Sequence, residues 1–280
     1  MDKLDDMPIT IPNYSYVFNF EKSFAYSNIV VRITNHYPYC FCYCLLYIIL
    51  IFAGKYFMSN RPKFELRGML ALWNASLAVF SIFGFLRVAT ELYHALRHYG
   101  FQHSVCISYI TYDPVLTFWC LSFIVSKIVE FGDTAFIVLR KQPLIFLHWY
   151  HHITVLLYAW LSFIESAPQS RWNCVINYFV HSWMYSYYAL KAMRFNLPKW
   201  FAMLITTLQT LQMVWGCFIA ITTYNYVTND QIDCHVKSHN AKIGLLLYFS
   251  YFILFSRFFK QAYLSNNCRK IKKSSKHAQD

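Results

Sequence analysis

From Tyr37 onward the chain alternates long apolar runs with short polar links, and that alternation predicts the architecture. About seven runs approach the roughly 20 apolar residues that a membrane-crossing helix needs: Tyr37 to Phe57, Met69 to Tyr93, Val115 to Leu139, Leu144 to Ile164, Trp172 to Ala192, Trp200 to Val227 and Lys242 to Tyr263. Backbone polar groups in lipid must be paired internally, and runs this long favour helices over the short alternating segments of a barrel. The expected fold is therefore all-α, a polytopic bundle of about seven transmembrane helices. The third and fourth runs carry charged residues or histidines, so a count by hydropathy alone can drop one.

The links distinguish the two sides of the membrane. Asn60 to Gly68, Arg140 to Pro143 and Lys191 to Lys199 hold Arg61, Lys63, Arg67, Arg140, Lys141, Lys191, Arg194 and Lys199, and an odd span count puts the tail, with Arg269, Lys270, Lys272, Lys273 and Lys276, on the same side. The links His94 to Pro114, Glu165 to Arg171 and Thr228 to Ala241 carry few Lys or Arg. Basic links stay cytosolic, so the N-terminus is expected in a lumen and the C-terminus in the cytosol. The chain reads as one domain over 1–280, with 1–36 a lumenal N-terminal segment and 264–280 a basic cytosolic tail. Asp2, Asp5, Asp6, Pro8 and Pro12 are the opposite of a cleavable signal sequence, so the N-terminus is expected to be retained.

Composition agrees with a bilayer as solvent. Of 280 residues 57% are hydrophobic, 20% aromatic and only 14% charged, against about 25% charged in a soluble domain. The net charge of +12 is accounted for by membrane orientation, with no nucleic-acid partner required. Cys40, Cys42 and Cys44 lie in the first run without metal spacing and read as packing residues. Cys106 and Cys234 both fall on the lumenal side, where an oxidising compartment permits a disulfide between them. Asn13-Tyr14-Ser15 is a glycosylation candidate on that side, whereas Asn74-Ala75-Ser76 lies inside a run and reads as a chance match.

Ionisable residues within spans are costly and usually face an interior cavity. Lys127, Glu130, Asp133 and Thr134 recur along one helix flank, either as part of a site or as an ion-pair network that only locks helices together. His148, His151 and His152 crowd one sector, which suits metal ligation or nucleophilic and general-base catalysis better than core packing. His181 shares a face with Met184, Tyr185 and Tyr188, alternatively an aromatic core stripe, and Thr206, Gln209 and Gln212 line up along the sixth run, alternatively to bond neighbouring helices.

In this order the four clusters resemble the ELO family of very-long-chain fatty acid elongases: K-x-x-E-x-x-D-T, H-x-x-H-H, H-x-x-M-Y-x-Y-Y and T-x-x-Q-x-x-Q. Lys63 to Arg67, Leu77 to Arg87 and Phe146 to Tyr158 further resemble the subgroup acting on saturated and monounsaturated long-chain acyl-CoA. The resemblance implies an endoplasmic-reticulum 3-oxoacyl-CoA synthase, an acyltransferase that condenses acyl-CoA with malonyl-CoA to give 3-oxoacyl-CoA, carbon dioxide and CoA. Saturated, monounsaturated and methyl-branched chains are the expected substrates. It also implies a seven-helix bundle around an acyl-chain tunnel open to the cytosol, no bound cofactor and no metal, with the other elongation-cycle enzymes and a second copy of the chain as possible partners.

No cysteine sits among the four clusters to accept the acyl group, and an unprotonated imidazole can do so. By resemblance His151 takes that role with His181 as partner, while His148 and His152 position the reacting groups or donate hydrogen bonds to the developing oxyanion. Lys127, Glu130 and Asp133 set histidine orientation, and Tyr185, Tyr188, Gln209 and Gln212 contact pantetheine or the thioester. Arg140, Lys141, Lys191 and Arg194 are candidates for the CoA phosphates. A di-iron oxygenase would need more ligands than His148, His151, His152 and His181, and a receptor or transporter lacks the expected end motifs or repeats. The tail ends His277-Ala278-Gln279-Asp280, without lysines at the usual dilysine retrieval positions.

Overall fold

The computed structural model describes residues 10–24, 26–229 and 232–264. The basic tail residues from Arg269 to Lys276 and the acidic start lie outside the described residues. After one short turn, α1 (Asn19–Lys22), the helices are α2 (Tyr26–Met58), α3 (Arg67–Cys106), α4 (Pro114–Val129), α5 (Phe131–Leu139), α6 (Phe146–Ile164), α7 (Ser170–Ala192), α8 (Lys199–Val227) and α9 (Ser238–Phe259), which runs on into a π-helical turn, Lys260–Leu264. There is no strand among the described residues.

Among the described residues five stretches are long and apolar enough to cross a membrane: Ile29–Met58, Arg67–Cys106, Pro114–Leu139, Lys199–Val227 and Ser238–Leu264. Helices α6 and α7 fall outside that measure because they carry the histidines and their polar partners. The chain is a multi-pass membrane protein, and its surface bears this out. Leu45, Leu46, Ile49 and Leu50 on α2, and Leu211, Val214, Phe218 and Ile221 on α8, point outward, where in water each would forgo about 1.5–3 kcal/mol of burial. The buried core is built from Val88 and Leu92 of α3, Phe123 of α4, Leu156 and Trp160 of α6 and Tyr178 of α7.

Several boundaries differ from the sequence pattern. The first long helix already begins at Tyr26, so 26–36 are helical turns rather than a loose segment. Helix α3 continues to Cys106, thirteen residues beyond Tyr93, through a kink at Gly100 (φ 83°) that only glycine adopts without strain. The third run breaks at Glu130 into α4 and α5.

Helices α3 and α7 are antiparallel and pinned at both ends. Arg67 Nε donates to Ala192 O at 2.7 Å at one end, and Arg171 Nη1 pairs with Glu91 Oε1 at 2.6 Å near the other. Between them, Gly84 lets the Tyr178 ring press on α3, where a Cβ would lie 2.5 Å from its edge. The link before α3 shares an end with the α5–α6 corner, since Phe64 N donates to Leu139 O and Lys141 Nζ to Ser59 O. At the opposite end a disulfide joins Cys106 to Cys234, and His239 and Asn240 bond Glu165.

That second end is also capped by the N-terminal strap. Glu21, fully buried, accepts from Arg87 Nη2 at 2.5 Å and Trp119 Nε1 at 2.8 Å, and Tyr14 Oη donates to Asp113. Burial opposes ionisation of Glu21, but Arg87, Trp119 and the Phe18 amide outweigh it and hold the carboxyl below its ordinary value. Asp113 caps α4, its Oδ1 accepting from the Val115 amide ahead of which Pro114 opens the helix.

Candidate active site

The break at Glu130 shapes the site. Gly132 follows it, and a Cβ there would lie 2.6 Å from the Trp73 ring; its absence lets Trp73 Nε1 donate to Asp133 Oδ1 at 2.6 Å. Asp133 Oδ2 accepts a second bond from Tyr185 Oη at 2.7 Å. Glu130 turns the other way: its Oε1 accepts from Lys127 Nζ at 2.8 Å and lies 3.6 Å from His181 Nδ1. Lys127 is buried behind Glu130 and donates also to Asn177 Oδ1 at 2.9 Å, and Asn177 Nδ2 faces His181 Nε2 at 3.3 Å. The three charges on the third run thus belong to two polar clusters, one leading to His181 and one to Tyr185.

These clusters border a chamber of about 850 Å³ whose walls include Glu130, Asp133, His148, His151, His152, His181, Tyr185, Tyr188, Gln209 and Gln212. Lys127 does not reach it. A second, narrow chamber of about 40 Å³ lies deeper, lined by Phe123, Val155, Tyr158, Ser162, Cys174 and Tyr248 among others. His151, Asn177, Gln212 and Met213 belong to both walls and form the neck between them. At the outer mouth stand Arg67, Arg140 and Lys191. Lys141 and Arg194 do not line the chamber.

Each histidine is held differently. His148 Nε2 shares a hydrogen bond of 2.9 Å with Thr134 Oγ1, which also meets Tyr47 Oη at 2.7 Å. His151 packs edgewise on Phe255 and tilted against Tyr251, and lines the neck. His152 is 5% exposed, lies 4.5 Å from the His148 ring centre to centre, and its buried Nδ1 has no hydrogen-bond partner among the described residues. Among the described residues no group of three His, Cys, Asp or Glu side chains is arranged to hold a metal ion. The geometry instead offers an imidazole at a constriction, a second imidazole braced by a carboxylate and an ammonium, and amide donors around them, which suits acyl transfer.

The polar string on α8 divides. Gln212 lines the neck and Gln209 Nε2 meets Met184 Sδ at 3.1 Å on the chamber wall, whereas Thr206 Oγ1 bonds Tyr263 Oη. Asn13 is exposed, while Asn74 is buried within α3. Asn177, Trp73 and Tyr47 stand outside the four sequence clusters. Asn177 lies one helical turn before His181, so the same-face rule that grouped His181 with Tyr185 also reaches it.

Residues 32–271 match the family model described as ELO: GNS1/SUR4 family. The chain is similar to very long chain fatty acid elongase 6 of Drosophila melanogaster, 52% identical over 93% of this chain and 83% of the relative. It is 43% identical to very long chain fatty acid elongase 6 of Mus musculus, over 92% of this chain and 96% of the relative. Putative fatty acid elongase 3 of Caenorhabditis elegans is 40% identical over 96% of this chain and 85% of its own length.

Proposed function

The chain belongs to the ELO family, and from that premise we propose that the paired chambers are its condensation site, with the neck at His151 as the reacting centre. The protein is a fatty acid elongase that carries out the condensing, 3-oxoacyl-CoA-forming step, with acyl-CoA and malonyl-CoA as substrates. The observation that carries the site is the shared lining. One imidazole, His151, lines both a narrow, mainly apolar chamber and a wide one whose walls carry the polar clusters.

In this reading the acyl chain points into the inner chamber, which at about 40 Å³ has to widen to admit it, and the CoA moiety occupies the outer one, its phosphates toward Arg67, Arg140 and Lys191. An unprotonated nitrogen of His151 attacks the thioester carbonyl, the carbon–sulfur bond breaks, and CoA leaves as a thiolate that takes up a proton. Malonyl-CoA then replaces CoA. Its carboxylate leaves as carbon dioxide, and the electron pair of the broken carbon–carbon bond forms the new bond to the acyl carbonyl as the bond to His151 breaks. His181 is the partner imidazole, and Gln209 and Gln212 donate to thioester or enolate oxygens. Tyr188 lies along the pantetheine, and no cofactor takes part.

Seven crossings are proposed, with α6 and α7 shielded inside the bundle. The basic mouth is the cytosolic end, where CoA esters are dissolved, and the disulfide end is lumenal. Residence in the endoplasmic reticulum is proposed from family membership, and a disulfide on the lumenal side is compatible with it. Similarity to relatives named very long chain fatty acid elongase 6 supports long-chain acyl groups as substrates; saturated and monounsaturated chains are proposed from the resemblance of Lys63 to Arg67, Leu77 to Arg87 and Phe146 to Tyr158.

The test is condensation by purified, detergent-solubilised protein with labelled malonyl-CoA and a panel of acyl-CoAs, beside His151→Ala. Labelled 3-oxoacyl-CoA from the wild type and none from a folded His151→Ala supports the site. An active His151→Ala would move the reacting centre elsewhere.

A further inference from the structure

Asn177 is 5% exposed, lines the neck between the chambers and touches both Lys127 and His181. An ammonium only donates, so the Asn177 atom 2.9 Å from Lys127 Nζ is the carbonyl oxygen. That choice fixes the amide: Nδ2 faces His181 Nε2 at 3.3 Å. An amide nitrogen in turn only donates, so Nε2 of His181 is the acceptor and the ring proton sits on Nδ1. Nδ1 faces the carboxylate of Glu130 at 3.6 Å, where a proton is welcome. Lys127 and Glu130 therefore constrain the two sides of one imidazole, the first through Asn177.

We propose that Asn177 is a positioning residue for the condensation, transmitting the donor-only character of Lys127 into a single neutral tautomer and orientation of His181. The inference rests on the site proposed above. The titratable and charged groups facing His181 are Lys127 from α4, Glu130 at the break between α4 and α5, His151 from α6 and Tyr185 on its own helix, whose ring lies 5.3 Å away. Among the described residues, Asn177 is the neighbour that meets Nε2 with an amide donor.

Asparagine and aspartate have nearly the same shape, so Asn177→Asp separates chemistry from filling. The aspartate presents an oxygen to Nε2, which calls the proton to that nitrogen and favours imidazolium. Wild type, Asn177→Asp and Asn177→Ala are purified, and kcat, KM for each CoA ester and the rate between about pH 6 and 9 are measured. The expected result is a fall in kcat of about tenfold or more in Asn177→Asp with KM changed less than about threefold, and an acid limb moved to higher pH. Asn177→Ala loses rate without that movement. An aspartate variant within about threefold of wild type, with its limb unmoved, overturns the proposal. If the aspartate variant is not recovered folded, Asn177→Ala decides, since a kcat within about threefold of wild type equally overturns it. A wild type that makes no 3-oxoacyl-CoA sinks the site and this role together; an active wild type with an unimpaired aspartate variant sinks this role alone.

Discussion

Replacing Lys127 by methionine separates the two meanings of the charge cluster, stability and catalysis. Lys127 and Glu130 are 1% and 3% exposed and 2.8 Å apart. Removing the ammonium leaves the carboxylate buried with His181, 3.6 Å away, as its nearest cationic candidate, and leaves the oxygen of Asn177 without its donor. Breaking a buried pair in this way costs about 3–5 kcal/mol. Over 280 residues, an unfolding entropy of about 2.1 cal/mol/K per residue converts that cost to a fall in Tm of about 5–8 °C. The double variant Lys127→Met, Glu130→Gln removes the stranded charge and is expected to recover most of the loss, because neutral pairs of similar volume are often tolerated. Its condensing activity is expected to stay at least about tenfold below wild type, because His181 has lost its brace. Thermal unfolding in detergent and the condensation assay read the two effects separately. A single variant as stable as wild type, or a double variant with full activity, would refute the reasoning.

Three further outcomes follow from the same contacts. Cys106→Ala opens a loop spanning 128 residues and is expected to lower stability by about 2–4 kcal/mol, with altered gel mobility on reduction seen in the wild type alone. Glu21 has a lowered folded pKa, so its contribution is complete above the ordinary carboxyl value of 4.5 and is lost as pH falls through the folded one; the gap in Tm between wild type and Glu21→Gln should therefore be widest at neutral pH and close in acid, and a gap that widens in acid contradicts it. Ser162→Leu adds bulk to the inner chamber and is expected to shift the preferred acyl-CoA to shorter chains, measured as the ratio of kcat/KM values across a chain-length panel; an unchanged ratio would place the acyl chain elsewhere.

Most of the helices and much of the site are legible in the sequence because both rest on local rules. Apolar length marks the runs, and the three-and-four spacing puts His148 with His152 and His181 with Tyr185 before any coordinates. The ends were harder to read. Helices α5, α6 and α7 close on Lys141, Ser166 and Arg194, all at positive φ, where glycine would have been the signal. The break at Glu130 carries no proline, and its carboxylate pairs with Lys127 three residues earlier and faces His181 from α7, so periodicity runs straight through it. Trp73 and Tyr47 reach the site from distant helices through Gly132 and Thr134, which no spacing rule anticipates. Asn177 was within reach of the face rule, but an asparagine inside a span ordinarily signals helix–helix bonding and draws no notice beside histidines.

The measurement that bears most directly on the account is the intact mass of the purified protein after incubation with a long-chain acyl-CoA alone, paired with titration of released CoA thiol. Acyl transfer to His151 predicts one acyl group added per chain, about one equivalent of free CoA, an adduct located on His151 and its discharge as 3-oxoacyl-CoA when malonyl-CoA is supplied. No CoA release before malonyl-CoA arrives, in protein that does condense the two substrates, would contradict a histidine-bound intermediate and require direct attack on the bound thioester.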